Sequence, residues 1–335
     1  MKRKLKIILC IVVLAPFALA LGFTLYARGV YNVSAMAKLT ELYLRITNWS
    51  EVFETAENMQ RHLEKRAVAN EQPVKAPRVR SNLEQYEMQG FQVFQFGKSE
   101  GSAAVVYLHG GAYVNQPDYF HWKFVDKIAR QTDLPLFMPI YPKAPNYTYI
   151  TGYNFLLDFY LDLLAKGFQN IIIAGDSAGG GFALGFAQYL IANEELPLPK
   201  KLILISPWLD ISMENPEIAD FTALDVMLAV PGGIVAGKAW ASETPAVHYL
   251  LSPINGSFEG LPPIVMLSGT HDILVPDIRK LYQMYSDNGV DITYHEVYGM
   301  GHVYPLYPIP EARHAIRIIV EGILAVDTVT KTEEL

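Results

Sequence analysis

The sequence predicts an α/β fold: a mostly parallel twisted sheet with helices on both faces and a helical cap. Short apolar runs at 103–108, 134–140, 171–174, 201–205 and 264–268 have the length and continuity of strands buried on both faces. Helical patterns at 121–131, 153–165, 179–192, 278–288 and 311–325 alternate with them, and strand-helix-strand repeated in this way implies parallel pairing. The 335 residues are 51% hydrophobic and 18% charged, which suits one large α/β domain or two ordinary ones and excludes disorder for the bulk of the chain.

Taken in order, Ile7 to Tyr26 is an uncharged run, about 30 Å long as a helix and long enough to span a bilayer. Lys2, Arg3, Lys4 and Lys6 precede it and only Arg28 follows closely. The positive-inside rule therefore predicts residues 1–28 as a single-pass anchor with a cytoplasmic N-terminus and an extracytoplasmic body. The alternative is a secreted protein released by signal cleavage, because Ala18-Leu19-Ala20 has the small-x-small form of a cleavage site. Against cleavage, the apolar run continues through Leu21 to Tyr26. The one cysteine, Cys10, lies inside this run, so no internal disulfide and no multi-cysteine metal site is available.

Residues 33–66 carry helical periodicity, with Leu39, Leu42, Tyr43, Ile46, Val52, Phe53, Ala56 and Met59 at three- and four-residue steps. Pro73 and Pro77 mark a loop before the main domain. The expected organisation is a helical N-terminal cap and linker over 29–80 and a catalytic domain over 81–335. Within the latter, 91–96 alternates like a half-exposed strand. Residues 209–250, broken by Pro216, Pro231, Gly232 and Gly233, form a cap insertion.

Lys and Arg number 27 against 34 Asp and Glu, and five of the basic residues lie in the first 28, which leaves the body with 22 against 34. A body this acidic repels phosphate backbones, so nucleic acid is not an expected partner.

The chemistry gathers in four places. Gly175-Asp176-Ser177-Ala178-Gly179-Gly180 sits between a strand and an Ala/Leu/Phe-rich helix, the context in which G-x-S-x-G presents a serine hydroxyl on a sharp turn at a helix head. His109-Gly110-Gly111-Ala112-Tyr113 follows the strand at 103–108 and offers backbone N–H groups close to that turn. His302, in the glycine loop Gly299-Met300-Gly301-His302 before the last helix, is the candidate base. His248 lies in the cap, His271 beside an acid, His295 in a strand and His314 in a helix. Asp272, at the end of the run from Ile264, is the candidate carboxylate that orients it, with Asp277 the rival.

As a set these residues resemble the hormone-sensitive-lipase-like branch of the α/β-hydrolases, over about residues 103–305. The matching segments include Tyr141-Pro142-Lys143-Ala144-Pro145, Ser206-Pro207-Trp208-Leu209-Asp210 and Leu251-Ser252-Pro253. The resemblance implies an α/β-hydrolase fold and a serine hydrolase of carboxylic esters, short-chain or acetyl esters foremost. In it Ser177 is the nucleophile, His302 the general base and acid, and Asp272 its partner. Gly110, Gly111, Ala112 and Ala178 are the oxyanion donors, His109 and Asp176 are supporting residues, and no metal or organic cofactor is implied. Three positions depart from the family pattern: Ala112 replaces a third glycine, Asn146 stands where Glu is usual, and Asp277 is one residue further from Asp272 than usual. The same constellation also serves amidases and acyltransferases, and an inert ligand-binding protein on this scaffold is the alternative from another class. The expected partners are an ester substrate and, through residues 7–26, a lipid bilayer.

Overall fold

The computed structural model describes residues 2–193 and 196–333, with side chains described from 16 to 193 and from 196 to 326. Helix α1 (Lys2–Tyr31) is followed by α2 (Ala35–Ile46), the single turn α3 (Glu51–Glu54) and α4 (Ala56–Ala69). The continuous helical pattern expected over 33–66 is thus broken in two places. The polar stretch Thr47-Asn48-Trp49-Ser50 competes for the backbone: Thr47 Oγ1 donates to the Tyr43 carbonyl at 2.8 Å and Asn48 takes a left-handed φ of 48°. Thr55 then caps α4 by accepting the Asn58 N–H at 3.1 Å.

Strands β1 (Leu83–Met88), β2 (Phe91–Phe96), β3 (Ala103–Leu108), β4 (Leu136–Pro139), β5 (Asn170–Asp176), β6 (Lys201–Ile205), β7 (Ile264–His271) and β8 (Ile292–Gly301) form one sheet in the order β1-β2-β4-β3-β5-β6-β7-β8. β1 and β2 are antiparallel to their neighbours and the rest are parallel. Helices α5 (Tyr119–Thr132), α6 (Tyr149–Ala165), α7 (Ala178–Ala192), α8 (Val230–Ala241), α9 (Val275–Asp287) and α10 (Pro310–Glu333) complete the chain.

The central strands bury both faces because helices cover both. In β3, Ala104, Val106 and Leu108 enter one apolar cluster and Val105 and Tyr107 the other; Leu202 and Leu204 against Ile203 and Ile205 repeat the division in β6. The first cluster takes its helical side chains mainly from α6 to α9, and the second mainly from α5 and α10. Both sets converge below the carboxyl ends of β3, β5, β7 and β8, where the four chemistry-bearing loops emerge.

The segment expected to span a bilayer, 7–26, lies partly outside the residues whose side chains are described. Among the described residues no helix is long and apolar enough to cross a membrane. Every residue from Pro16 to Gly22 is exposed, so this part of α1 stands clear of the body, and among the described side chains of α1 the first buried one is Ala27. The two segments expected as cap contain α2 to α4 and α8, and α8 packs against both α3 and α4.

Candidate active site

Ser177 links β5 to α7 with φ 52° and ψ −123°, a conformation a non-glycine residue adopts only where its surroundings impose it. The surroundings are explicit. Its N–H donates to the Ile205 carbonyl at 2.9 Å, and its carbonyl accepts the Trp208 N–H at 2.9 Å and the Gly180 N–H at 3.0 Å. The flanking glycines make the turn possible: a Cβ at Gly179 would meet the Leu108 carbonyl, and one at Gly175 would meet the backbone of Gly179. β3, β5 and α7 therefore meet with no room for a side chain.

His302 and Asp272 come together at the ends of β8 and β7. His302 Nδ1 lies 2.9 Å from Asp272 Oδ2, and Asp272 Oδ1 accepts the Leu274 N–H at 2.9 Å. Both residues are buried. Burial disfavours the imidazolium, but the charge and hydrogen bond of Asp272, with Asp225 and Asp176 further off, outweigh it and raise the His302 pKa above its ordinary value. Val303 follows at φ 48°, held by its N–H to Ser206 Oγ at 3.1 Å, so the ring is fixed from its own backbone as well. Asp277 is elsewhere: it sits in α9 and accepts from Asn215 Nδ2 at 2.8 Å.

Sequence reading missed Asp225. Its Oδ1 accepts the N–H groups of Met227 and Leu228 at 2.7 and 2.9 Å, and its Oδ2 accepts that of Ile273 at 3.0 Å, which ties the segment before α8 to the loop carrying Asp272. Burial and the neighbouring Asp272 charge push its pKa up to about 6. No motif marks it, because its one distant partner, Ile273, is brought by the fold from the loop after β7.

One expected donor is already committed. Gly110 donates its N–H to Asp176 Oδ1 at 2.9 Å and so is not free to bind an oxyanion. Among the described residues, the N–H groups of Gly111, Ala112 and Ala178 have no acceptor, and Gly111, Ala112 and Ser177 line one cavity. Ala112 has φ 55°, which explains why a glycine is usual there and shows that alanine keeps the same path. Asn146, the second departure, donates to the Ala67 carbonyl at 2.8 Å and joins the end of α4 to the body.

Asp176 is the hub of a second buried network. It also accepts the Tyr107 hydroxyl at 2.6 Å, and its Oδ2 lies 3.2 Å from His121 Nε2, whose Nδ1 lies 2.8 Å from Asp118. Burial opposes charging of His121, yet Asp176 and Asp118 raise its pKa to about 10, so it is an imidazolium at neutral pH. His121→Gln is expected to destabilise the protein by about 3–5 kcal/mol, because it leaves the buried Asp176 without its cation. The folded pKa is raised, so this stability is complete below about pH 6.5 and is lost as pH rises through about 10. Thermal unfolding of wild type and variant at pH 6 and pH 10 checks both points; an equal difference at the two pH values would refute the charge pairing. His109 is wholly buried, bonded through Nδ1 to its neighbour's carbonyl and stacked on Tyr141 at 4.6 Å, a loop-organising placement.

The cavity above Ser177 holds about 320 Å³ and is lined by Trp49, Val52 and Phe53 from the N-terminal segment, His62 and Arg66 from α4, and Met227, Leu228, His302 and Tyr307 from the body. A small annex of about 20 Å³ shares Ala112, Ser177 and Leu228 with it and is also lined by Trp208, Met213 and Gly233. A serine on a strained elbow, a histidine held by a carboxylate, and N–H groups without an acceptor at one cavity wall are an arrangement able to support acyl transfer.

The family profile described as the alpha/beta hydrolase fold matches residues 105–306. The chain belongs to the α/β-hydrolase family. A Mycobacterium tuberculosis triacylglycerol lipase is 33% identical over 51% of this chain, a match that spans only 35% of that lipase. A Streptomyces hygroscopicus acetyl-hydrolase is 28% identical over 64% of this chain and 73% of its own. The crystal structure of a Staphylococcus aureus protein described as an esterase superposes with a TM-score of 0.79 at 34% identity, over 82% of this chain and 95% of that one.

Proposed function

We propose that the protein is a carboxylic ester hydrolase that works through an acyl-enzyme on Ser177. The observation that carries this reading is the convergence on one cavity of Ser177 and of His302, whose far ring nitrogen is held by Asp272. His302, neutral, takes the Ser177 proton as Oγ attacks the acyl carbon; the Gly111, Ala112 and Ala178 N–H groups receive the oxyanion. The proton passes to the departing alcohol, and water then repeats the sequence to release the acid. Substrate entry aligns the Ser177 hydroxyl, whose Oγ makes no hydrogen bond to a described residue, on the imidazole. Labelling of the intact protein by a fluorophosphonate tests the reading; a folded protein that resists labelling refutes it.

The annex supports a short acyl group. Its roughly 20 Å³ admits little more than one water-sized group, so an acetyl methyl fills it while a longer chain meets Leu228 and Met213. Leu228→Ala is expected to move the preferred p-nitrophenyl ester from acetate toward butyrate and hexanoate, with a gain of about tenfold in kcat/KM for the longer ester, as expected for making room for a methylene or two. An unchanged chain-length profile would place the acyl group elsewhere. The relatives named as an acetyl-hydrolase and a lipase bracket this range.

The proposed organisation retains 1–28 as a membrane anchor, through the uncharged run 7–26, with the catalytic domain outside the cytoplasm. Residues 29–80 and 209–250 form the cap. Supporting it are the charge placement around the run, the exposure of α1 beyond Ala27, and the supply of cavity wall by Trp49, Phe53 and Leu228.

A further inference from the structure

Outside the cavity, one surface is left unexplained by ester hydrolysis. α1 leaves the body with large apolar side chains fully presented: Phe17, Leu19, Leu21 and Leu25 are each more than 60% exposed. After a short turn, α2 begins at a fixed angle, because the Ser34 N–H and Oγ donate to Glu311 at 2.6 and 2.9 Å while Oγ also caps the helix. This helix is apolar on two sides. Ala37 and Leu44 face the body; Met36, Leu39, Tyr43 and Ile46, at helical three- and four-residue steps, face outward, and Ile46 is 75% exposed. The outer stripe ends at Trp49, which also lines the mouth of the cavity over Ser177.

Water is a poor neighbour for such a stripe, and a patch of this size marks an interaction surface. Its margins indicate which kind. Tyr26 and Tyr31 pair their hydroxyls at 3.1 Å where α1 meets the body, Lys38 Nζ lies 3.8 Å above the Tyr31 ring, and Lys38 and Arg45 both pair with Glu41, at 2.7 and 3.0 Å. Tyrosine and tryptophan with long basic side chains, arranged around leucine and isoleucine, are the set that sits at the boundary between headgroups and acyl chains. In the chain the stripe follows shortly after the uncharged run of α1, whose last residues, Leu25 and Tyr26, are exposed.

We propose that the outer face of α2, together with Trp49, rests in the headgroup–acyl boundary of the bilayer that α1 enters. The substrate is then a short-chain ester of a membrane-seated amphiphilic alcohol, which reaches Ser177 laterally past Trp49. The acyl methyl occupies the annex and the alcohol the larger cavity. The substrate half rests on the ester-hydrolase reading; the docking half stands apart from it.

The test uses the full-length protein in phosphatidylglycerol–phosphatidylcholine vesicles with dibrominated acyl chains. Trp122, Trp208 and Trp240 are buried, so quenching by the bromolipid reports on Trp49. Quenching is expected in the wild type and is expected to vanish in Trp49→Phe. Leu39→Glu and Ile46→Glu, at exposed positions away from the cavity, should reduce the quenching and lower turnover of hexadecyl acetate in the same vesicles by about tenfold each, the loss expected for withdrawing one large apolar side chain from the interface. Both should leave kcat/KM for dissolved p-nitrophenyl acetate unchanged, and Leu39→Phe should restore the vesicle activity. Absent Trp49 quenching overturns the docking, as does a dimer that covers the stripe. Equal vesicle turnover by the Glu variants overturns lateral substrate entry. Quenching without hydrolysis of either ester overturns the substrate half and leaves the docking in place.

Discussion

Ser177→Ala is expected to lower kcat/KM for p-nitrophenyl acetate by about a millionfold and to abolish fluorophosphonate labelling, with the unfolding midpoint unchanged. The size follows from the mechanism: without Oγ there is no acyl-enzyme, and the remaining Gly111, Ala112 and Ala178 donors stabilise only a direct attack by water. The stability expectation follows from the structure. Ser177 is held through its backbone, by bonds to Ile205, Trp208 and Gly180, and alanine keeps all of them. A Ser177→Ala protein that retains a tenth of wild-type turnover would remove the serine from the reaction.

Asp272→Asn should lower kcat by about ten-thousandfold, with KM little changed. An asparagine oxygen can still accept the Leu274 N–H, so the loop holds, but its amide presents a donor toward His302 Nδ1 and selects the tautomer that cannot take the Ser177 proton. Removing the Asp272 charge also removes the main influence that raises the His302 pKa. The acid limb of residual kcat/KM should therefore move to lower pH, since the imidazole then stays neutral down to a lower pH. Asp225 provides the contrast. It is buried beside the pair but bonded to three backbone N–H groups, so a loss of activity in Asp225→Asn matching that in Asp272→Asn would transfer the orienting role to it.

The parts of this site that the sequence displays are those whose reason is local. Gly175 and Gly179 are required by a turn of five residues, and the strand and helix flanking Ser177 announce themselves by composition alone. Strands β3, β5 and β6 are legible because burial on both faces leaves their central residues apolar. β1 is an edge strand with Glu84, Gln85 and Glu87 exposed, and its alternation is too weak to stand out. The break between α2 and α4 needs only Thr47 to Ser50, but the apolar period runs across it undisturbed, so pattern alone reads one helix.

Other features depend on contacts between distant segments. His121 reads as an ordinary helical residue until the fold sets it against Asp176, 55 positions away, and raises its pKa. Gly110 reads as an oxyanion donor until that same carboxylate takes its N–H. Asp225 accepts the N–H groups of Met227 and Leu228 locally, but its bond to the Ile273 N–H is made only by the fold.

By itself, then, the sequence determined the fold class, the sharp strand-to-helix turn at Ser177 and the pairing of Asp272 with His302, because each is written in hydrophobic period, glycine placement or loop position. The tertiary structure decided which N–H groups face the cavity, which carboxylates are neutralised and by whom, how small the annex beside Ser177 is, and where the apolar stripe of α2 points. Those properties depend on which atoms remain unpaired once distant segments close together, and no local pattern encodes that.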